Sequence, residues 1–211
     1  FVNEISQIRN ALDLQEIVIA GHSWGGTLAA EYAIKNEKGL RAAILGSPLI
    51  STPQWVSDNR NWISLLPKKY QDAINKHEAA GTFDDPEYRE AEKAFYDEHM
   101  CHGDCIDRGF RDNGKAGNRI MYQTMWGPSE FTANGTLQDY DTSQALHTIE
   151  VPILMICGEY DEAAPKSCKK FADMVSDATN RVIPNAGHAI LSEQKDLVIN
   201  IIREFLTNKL N

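Results

Sequence analysis

Gly21-His22-Ser23-Trp24-Gly25 is a G-x-S-x-G run, with the apolar residues Ile17-Val18-Ile19-Ala20 before it and helix-forming residues after it. At a strand-to-helix turn such a run lifts the central serine oxygen out of the sheet, and the flanking glycines omit side chains that would clash there. Ser23 thus sits at a helix N-terminus, where the backbone N–H of Trp24 can point at a developing oxyanion. A serine hydroxyl at its ordinary pKa is a weak nucleophile, so this chemistry requires a base and a group that orients the base. Both occur downstream: Gly158-Glu159-Tyr160-Asp161 follows the apolar run Ile153-Leu154-Met155-Ile156-Cys157, and Ala186-Gly187-His188 follows Arg181-Val182-Ile183. Asp161 would hold the His188 imidazole in the tautomer that accepts the Ser23 proton, and His188 would pass that proton to the leaving group. His22 reads as packing behind the turn, not as the base.

The elements that must carry these residues follow from hydrophobic periodicity. Val2, Ile5, Ile8 and Leu12 predict an amphipathic helix over 2–13, and residues 25–35 a second helix. The unalternating runs at 17–20, 42–45 and 153–157 predict strands buried on both faces, as in a parallel sheet, with a further strand at 181–183. Helices are predicted at 166–175 and 197–206. Helix and strand alternate, which is the pattern of an α/β fold. Between about 51 and 140 the strand-like runs vanish, and helices are predicted at 68–80, 87–102 and 115–126, closed by Gly127-Pro128. The chain therefore divides into a first core part (1–50) bearing the serine turn, a helical cap (51–140), and a second core part (141–211) bearing the acid and histidine loops.

Composition narrows the function. The 211 residues are 42% hydrophobic and 24% charged, which suits a folded globular chain. No apolar run approaches the roughly 20 residues of a membrane span, and the first 20 residues do not pattern as a signal peptide, so the expected location is cytoplasmic, away from any membrane. Thirty acidic against 21 basic residues, a net charge of −9, repel phosphate backbones and argue against a nucleic-acid partner. The four cysteines, Cys101, Cys105, Cys157 and Cys168, are expected to be reduced thiols. The stretch 99–105 gathers soft ligand types but lacks Cys-x-x-Cys spacing, so no metal is assigned and no cofactor is required.

Several further runs resemble the proline iminopeptidases, a family of capped α/β-hydrolases that includes the tricorn-interacting type. They are Gly21 to Ala29, Leu66-Pro67-Lys68-Lys69-Tyr70, Asp85-Pro86-Glu87-Tyr88, Gly127-Pro128-Ser129-Glu130-Phe131 and Gly158-Glu159-Tyr160-Asp161-Glu162. The resemblance implies an α/β-hydrolase fold with a helical cap. It also implies release of an N-terminal residue, preferentially proline, from small peptides through an acyl-enzyme. In that family two glutamates receive the substrate's free α-amino group, and the matching positions are Glu130 and Glu162. The chemistry is coherent, because paired carboxylates reward a cationic terminus and reject an internal peptide bond. Trp55, Trp62, Phe95, Tyr96, Tyr122, Trp126 and Phe131 crowd the cap and are expected mostly to pack, with a minority near Glu130 touching substrate.

Such a fold carries strands ahead of its serine turn, together with a His-Gly-Gly type loop that supplies the second oxyanion N–H. Neither occurs here. The strand at 17–20 is therefore expected to lie at a bare sheet edge unless a further segment or chain covers it. Two alternatives stay open: an amidase or esterase on small substrates, and an inactive fragment lacking the oxyanion loop.

Overall fold

A computed structural model describes residues 1–102 and 118–210. In chain order the elements are α1 (Val2–Ala11), β1 (Ile17–His22), α2 (Trp24–Ile34), β2 (Leu40–Gly46), α3 (Thr52–Leu65), α4 (Lys68–Ala80), α5 (Pro86–His99) and α6 (Arg119–Met125). A 3₁₀ turn (Ser143–Thr148) precedes β3 (Ile153–Gly158), α7 (Pro165–Ala172), β4 (Ala178–Ile183), α8 (Ile190–Glu193) and α9 (Lys195–Leu210). The strands form one parallel sheet in the order β1-β2-β3-β4.

β3 is buried at every position, as its unalternating apolar run requires. Its side chains still alternate between faces. Ile153, Met155 and Cys157 join Ala43 and Leu45 of β2 in a core shared with α2 and α7, whereas Leu154 and Ile156 join Ala42 and Ile44 in a core closed by Val198 and Phe205 of α9. Helices thus cover both faces of the sheet, and all the strands point their carboxyl ends at one edge. β1 is an edge strand, and Val18 is 37% exposed on it.

Helices α3 to α6 interrupt the sheet between β2 and β3 and carry a core of their own, built on Ile63, Ile74, Tyr88, Phe95 and Phe131. Burying such a side chain contributes roughly 1.5–3 kcal/mol, so the cap is held by its own packing as well as by the sheet. Helix α3 had no counterpart in the periodicity reading. Ser51 caps it by accepting from Gln54 N–H, Pro53 sits in its first turn, and Trp55, Asn59 and Ile63 recur on its buried face. Asp85 and Pro86 start α5 in the same way. The helix predicted over 87–102 stops at His99, and of the one predicted over 115–126 the helical part is Arg119–Met125, with residues 115–117 outside the described residues.

One expectation on the cysteines fails. Cys157 and Cys168 are free and buried, but Cys101 is disulfide-bonded. Cys105 and the rest of the soft-ligand stretch beyond His102 lie outside the described residues. No described helix is long and apolar enough to cross a membrane.

Candidate active site

The site gathers at the carboxyl edge of the sheet. Ser23 stands between β1 and α2 with φ 55° and ψ −124°, a left-handed conformation that costs a non-glycine residue on the order of 1–3 kcal/mol. Its N–H is tied to the Gly46 carbonyl of β2 at 2.8 Å, and its carbonyl accepts from Thr27 N–H at 3.1 Å. The turn is tight on one side only. A Cβ on Gly21 would lie 1.9 Å from the Gly25 carbonyl oxygen, whereas one on Gly25 would meet nothing within 4 Å among the described residues. The expectation that both glycines relieve a clash holds for Gly21 alone. Trp24 is the first residue of α2, so its N–H has no acceptor within the helix and remains available beside Ser23.

Asp161 and His188 are brought together. His188 Nδ1 donates to Asp161 Oδ1 at 2.8 Å, and both side chains are buried. Asp161 also accepts from Ala163 N–H at 2.8 Å, Gly158 N–H at 3.0 Å and the Ser47 hydroxyl at 2.5 Å. Burial alone would raise its pKa. The charge of His188 and the hydrogen bonds from His188, Ser47 and Gly158 outweigh it, so the carboxyl sits below its ordinary value. For His188 burial pulls downward, and Asp161, then Glu130 and Glu193, reverse it to a raised value. Proton placement follows, because a carboxylate that only accepts leaves Nδ1 protonated and Nε2 free to act as base.

His188 makes no hydrogen bond to Ser23 among the described residues. The two are joined through their neighbours: His22 Nε2 donates to the His188 carbonyl at 2.8 Å, and the two imidazole rings lie 4.8 Å apart. Burial first, then the charge of His188, pushes the His22 pKa down to about 4, which keeps it neutral and leaves it a structural donor.

The two glutamates are placed differently. Glu130 opens on a cavity of about 780 Å³ that also exposes Ser23, Trp24, Trp55, Tyr122 and Trp126. Its backbone is fixed by the cap: Tyr96 Oη accepts from its N–H at 3.1 Å, and Trp55 Nε1 donates to its carbonyl at 3.0 Å. Glu162 is fully buried, and neither carboxylate oxygen has a hydrogen-bond partner among the described residues; His188 Nε2 is 3.7 Å from Oε1. Burial, then the charges of Glu130 and Asp161, hold its pKa well above the ordinary carboxyl value. Burial also raises Glu130, and His188 and Tyr122 offset this only in part. The two carboxyls feel each other, and their cationic neighbour among the described residues is the His188 imidazole, so a further positive charge placed between them would be favoured.

Four residues support the site in ways the sequence reading did not assign them: Ser47 and Asn59 had no role there, Trp62 was expected to pack, and His99 stood in the soft-ligand stretch. Ser47, at the end of β2 with φ 44°, supports Asp161. Asn59 Nδ2 donates to the Glu162 carbonyl at 3.3 Å, Trp62 Nε1 to the Asp161 carbonyl at 3.0 Å, and His99 Nδ1 to the Tyr160 carbonyl at 2.7 Å. The available signal was position: Ser47 ends the strand next to the serine turn, and the other three recur along helices of the cap. Of the cap aromatics, Phe95 and Phe131 pack internally, while Trp55, Tyr122 and Trp126 line the cavity. A separate cluster, His77, Asp85 and Glu87, has the geometry to hold a cation, but His77 Nε2 already pairs with Glu87 at 3.0 Å and Lys76 pairs with the same carboxylate.

Residues 1–194 match the α/β hydrolase fold family. The chain is 34% identical over 210 residues to the proline iminopeptidase of Heyndrickxia coagulans, covering 99% of this chain and 73% of that protein. Among solved structures, VinJ superposes with a TM-score of 0.90 at 32% identity, over 99% of this chain and 72% of that one. The proline iminopeptidase of Mycobacterium smegmatis superposes with a TM-score of 0.85 at 30% identity, over 99% and 71%. These likenesses identify an enzyme of the serine hydrolase type, and the chain belongs to the proline iminopeptidase family of α/β-hydrolases.

Proposed function

We propose that this enzyme is an exopeptidase that releases an N-terminal residue, preferentially proline, from small peptides or amides through an acyl-enzyme. The α-ammonium enters between Glu130 and Glu162, which sets the first carbonyl beside Ser23. Ser23 Oγ attacks that carbonyl as His188 Nε2 takes its proton, and Asp161 stabilises the imidazolium. The Trp24 N–H donates to the oxyanion. His188 then protonates the leaving amine, and water repeats the sequence on the acyl-enzyme, releasing the residue and restoring Ser23. The observation that carries this reading is the buried Asp161–His188 bond at the edge where Ser23 stands strained and exposed to the cavity.

The bare edge of β1 supports a further element of the proposal: another segment, in the same or a second chain, covers it and contributes the second oxyanion N–H. The cytoplasmic location stays part of this reading. The test uses the full-length protein on prolyl, alanyl and N-blocked prolyl anilides. The exopeptidase reading expects the prolyl compound to be cleaved fastest and the blocked one not at all. Equal cleavage of blocked and free substrates would favour a general amidase or esterase, and failure of a fluorophosphonate to label Ser23 would favour a non-catalytic protein.

A further inference from the structure

The catalytic histidine is clamped through its own peptide groups from two sides. Its carbonyl accepts from His22 Nε2 of the serine turn, and its N–H donates to the His99 carbonyl of the cap at 2.8 Å. One residue on, Ala189 N–H donates to the Met100 carbonyl at 2.9 Å. The approach is close enough that a Cβ on Gly187 would lie 2.7 Å from the His99 carbonyl oxygen. The end of α5 therefore lies directly against the backbone of the histidine loop.

The side chain of the same residue holds the acid loop. His99 Nδ1 lies 2.7 Å from the Tyr160 carbonyl, and a carbonyl only accepts, so Nδ1 carries a proton. The ring is buried, stacks on Trp62 at 4.6 Å with 29° between planes, and packs against Phe95 at 4.7 Å. Trp62 in turn donates to the Asp161 carbonyl. Burial lowers the His99 pKa, which keeps the ring neutral with its proton on Nδ1. His102 extends the contact by stacking on Tyr160 at 4.0 Å.

We infer that His99 is a positioning residue for the reaction: its Nδ1–H on Tyr160 and its carbonyl on His188 N–H together set the separation of the acid and histidine loops that the Asp161–His188 bond needs. The inference rests on the triad reading above. The cap, on this account, does more than shape the substrate cavity. Tyr96, one turn earlier on α5, accepts from Glu130 N–H, so one helix end supports both the amine socket and the base. Misplacing a base by a fraction of its hydrogen-bond length costs rate without altering amine binding.

The test compares His99→Leu, His99→Gln and His99→Asn in the full-length protein. Asn presents a side-chain N–H where Nδ1 stood, whereas Gln places its own one bond farther out and Leu has none. Loss of one buried hydrogen bond corresponds to about a tenfold change in rate, so His99→Leu and His99→Gln should lower kcat on a free prolyl anilide about tenfold. KM should stay unchanged, and fluorophosphonate labelling of Ser23 should slow by the same factor as kcat. His99→Asn should recover most of the loss. Equal labelling and kcat in all three variants, at a temperature where each is folded by circular dichroism, would overturn the inference, as would a His99→Asn variant no better than His99→Gln. Absence of labelling in the unsubstituted protein would overturn the triad reading first and this inference with it.

Discussion

Asp161 and Glu162 are neighbours in the chain, both fully buried, and their surroundings differ completely. Asp161 receives four hydrogen bonds and is held ionised. Glu162 receives none on its carboxylate and is pushed toward its protonated form. Desolvation is common to the two, so it does not decide their charge; the donors supplied by the fold do. The acid–histidine region is complete before any substrate arrives. The region of Glu130 and Glu162 is left unfinished, with two carboxyls that share the His188 imidazole as neighbour, and on the proposed function a substrate ammonium would complete it. On that reading the enzyme would discriminate at the unfinished region and perform chemistry at the finished one.

The largest expected effect tests the finished region. Asp161→Asn keeps the size of the side chain but removes the charge that holds His188, and in triads of this kind the corresponding change lowers kcat by about 10⁴. A fall of less than about tenfold in steady-state kcat would mean that the buried pair is structural and the comparison is wrong.

At the unfinished region Glu162→Gln should act on two readouts in opposite directions. Cleavage of a free prolyl substrate should drop by about 10², the scale of losing a charge-assisted contact to the ammonium. Stability should rise. The carboxyl of Glu162 has a folded-state pKa above its unfolded value, so the folded protein holds a proton that the unfolded chain releases, and stability declines as pH climbs from the unfolded value through the raised one. Glutamine has no such penalty, so the variant should melt a few degrees higher at pH 8, with the gain shrinking toward pH 5, as followed by thermal denaturation. A variant that melts lower at pH 8 would show that the carboxylate has a partner in the folded protein.

The same contrast separates what the residue pattern exposed from what it hid. The strands were legible because the apolar runs at 17–20 and 153–157 are short and each is closed by a glycine, which suits a strand buried on both faces, and the serine turn was legible because its spacing dictates its geometry. Asp161 and His188 were found by their place after strands. The cap was harder. Helix α3 mixes Trp55, Asn59 and Ile63 on its buried face, so a polar residue interrupts the apolar stripe that periodicity seeks. The helix expected to run on to residue 102 ends at His99: Met100 and Cys101 N–H both return to the Tyr96 carbonyl, while the carbonyls of His99 and Met100 accept from His188 and Ala189 of the histidine loop. Glu130 and Glu162 became visible only through resemblance to relatives, since no local rule marks a carboxylate that waits for a ligand. The disulfide at Cys101 had no local sign either.

Ser47 gives the smallest and sharpest test, because its hydroxyl donates to Asp161 and makes no hydrogen bond to either glutamate among the described residues. The bond spans 114 residues of sequence, which is why the pattern reading missed it. Ser47→Ala leaves Asp161 with three donors, so the carboxylate stays ionised but its charge is less dispersed and bears more strongly on the imidazolium. The His188 pKa, already raised, should rise further. Because the base works only when deprotonated, the acid limb of the kcat/KM profile, where activity is lost as pH falls through that pKa, should move to higher pH. The accompanying loss in kcat at pH 8 should be about three- to tenfold, the value of one buried hydrogen bond. KM for a free prolyl substrate should not change. If KM rises with the shift in the limb, the finished and unfinished regions are one coupled unit, and the independence of Asp161 from its neighbour is lost.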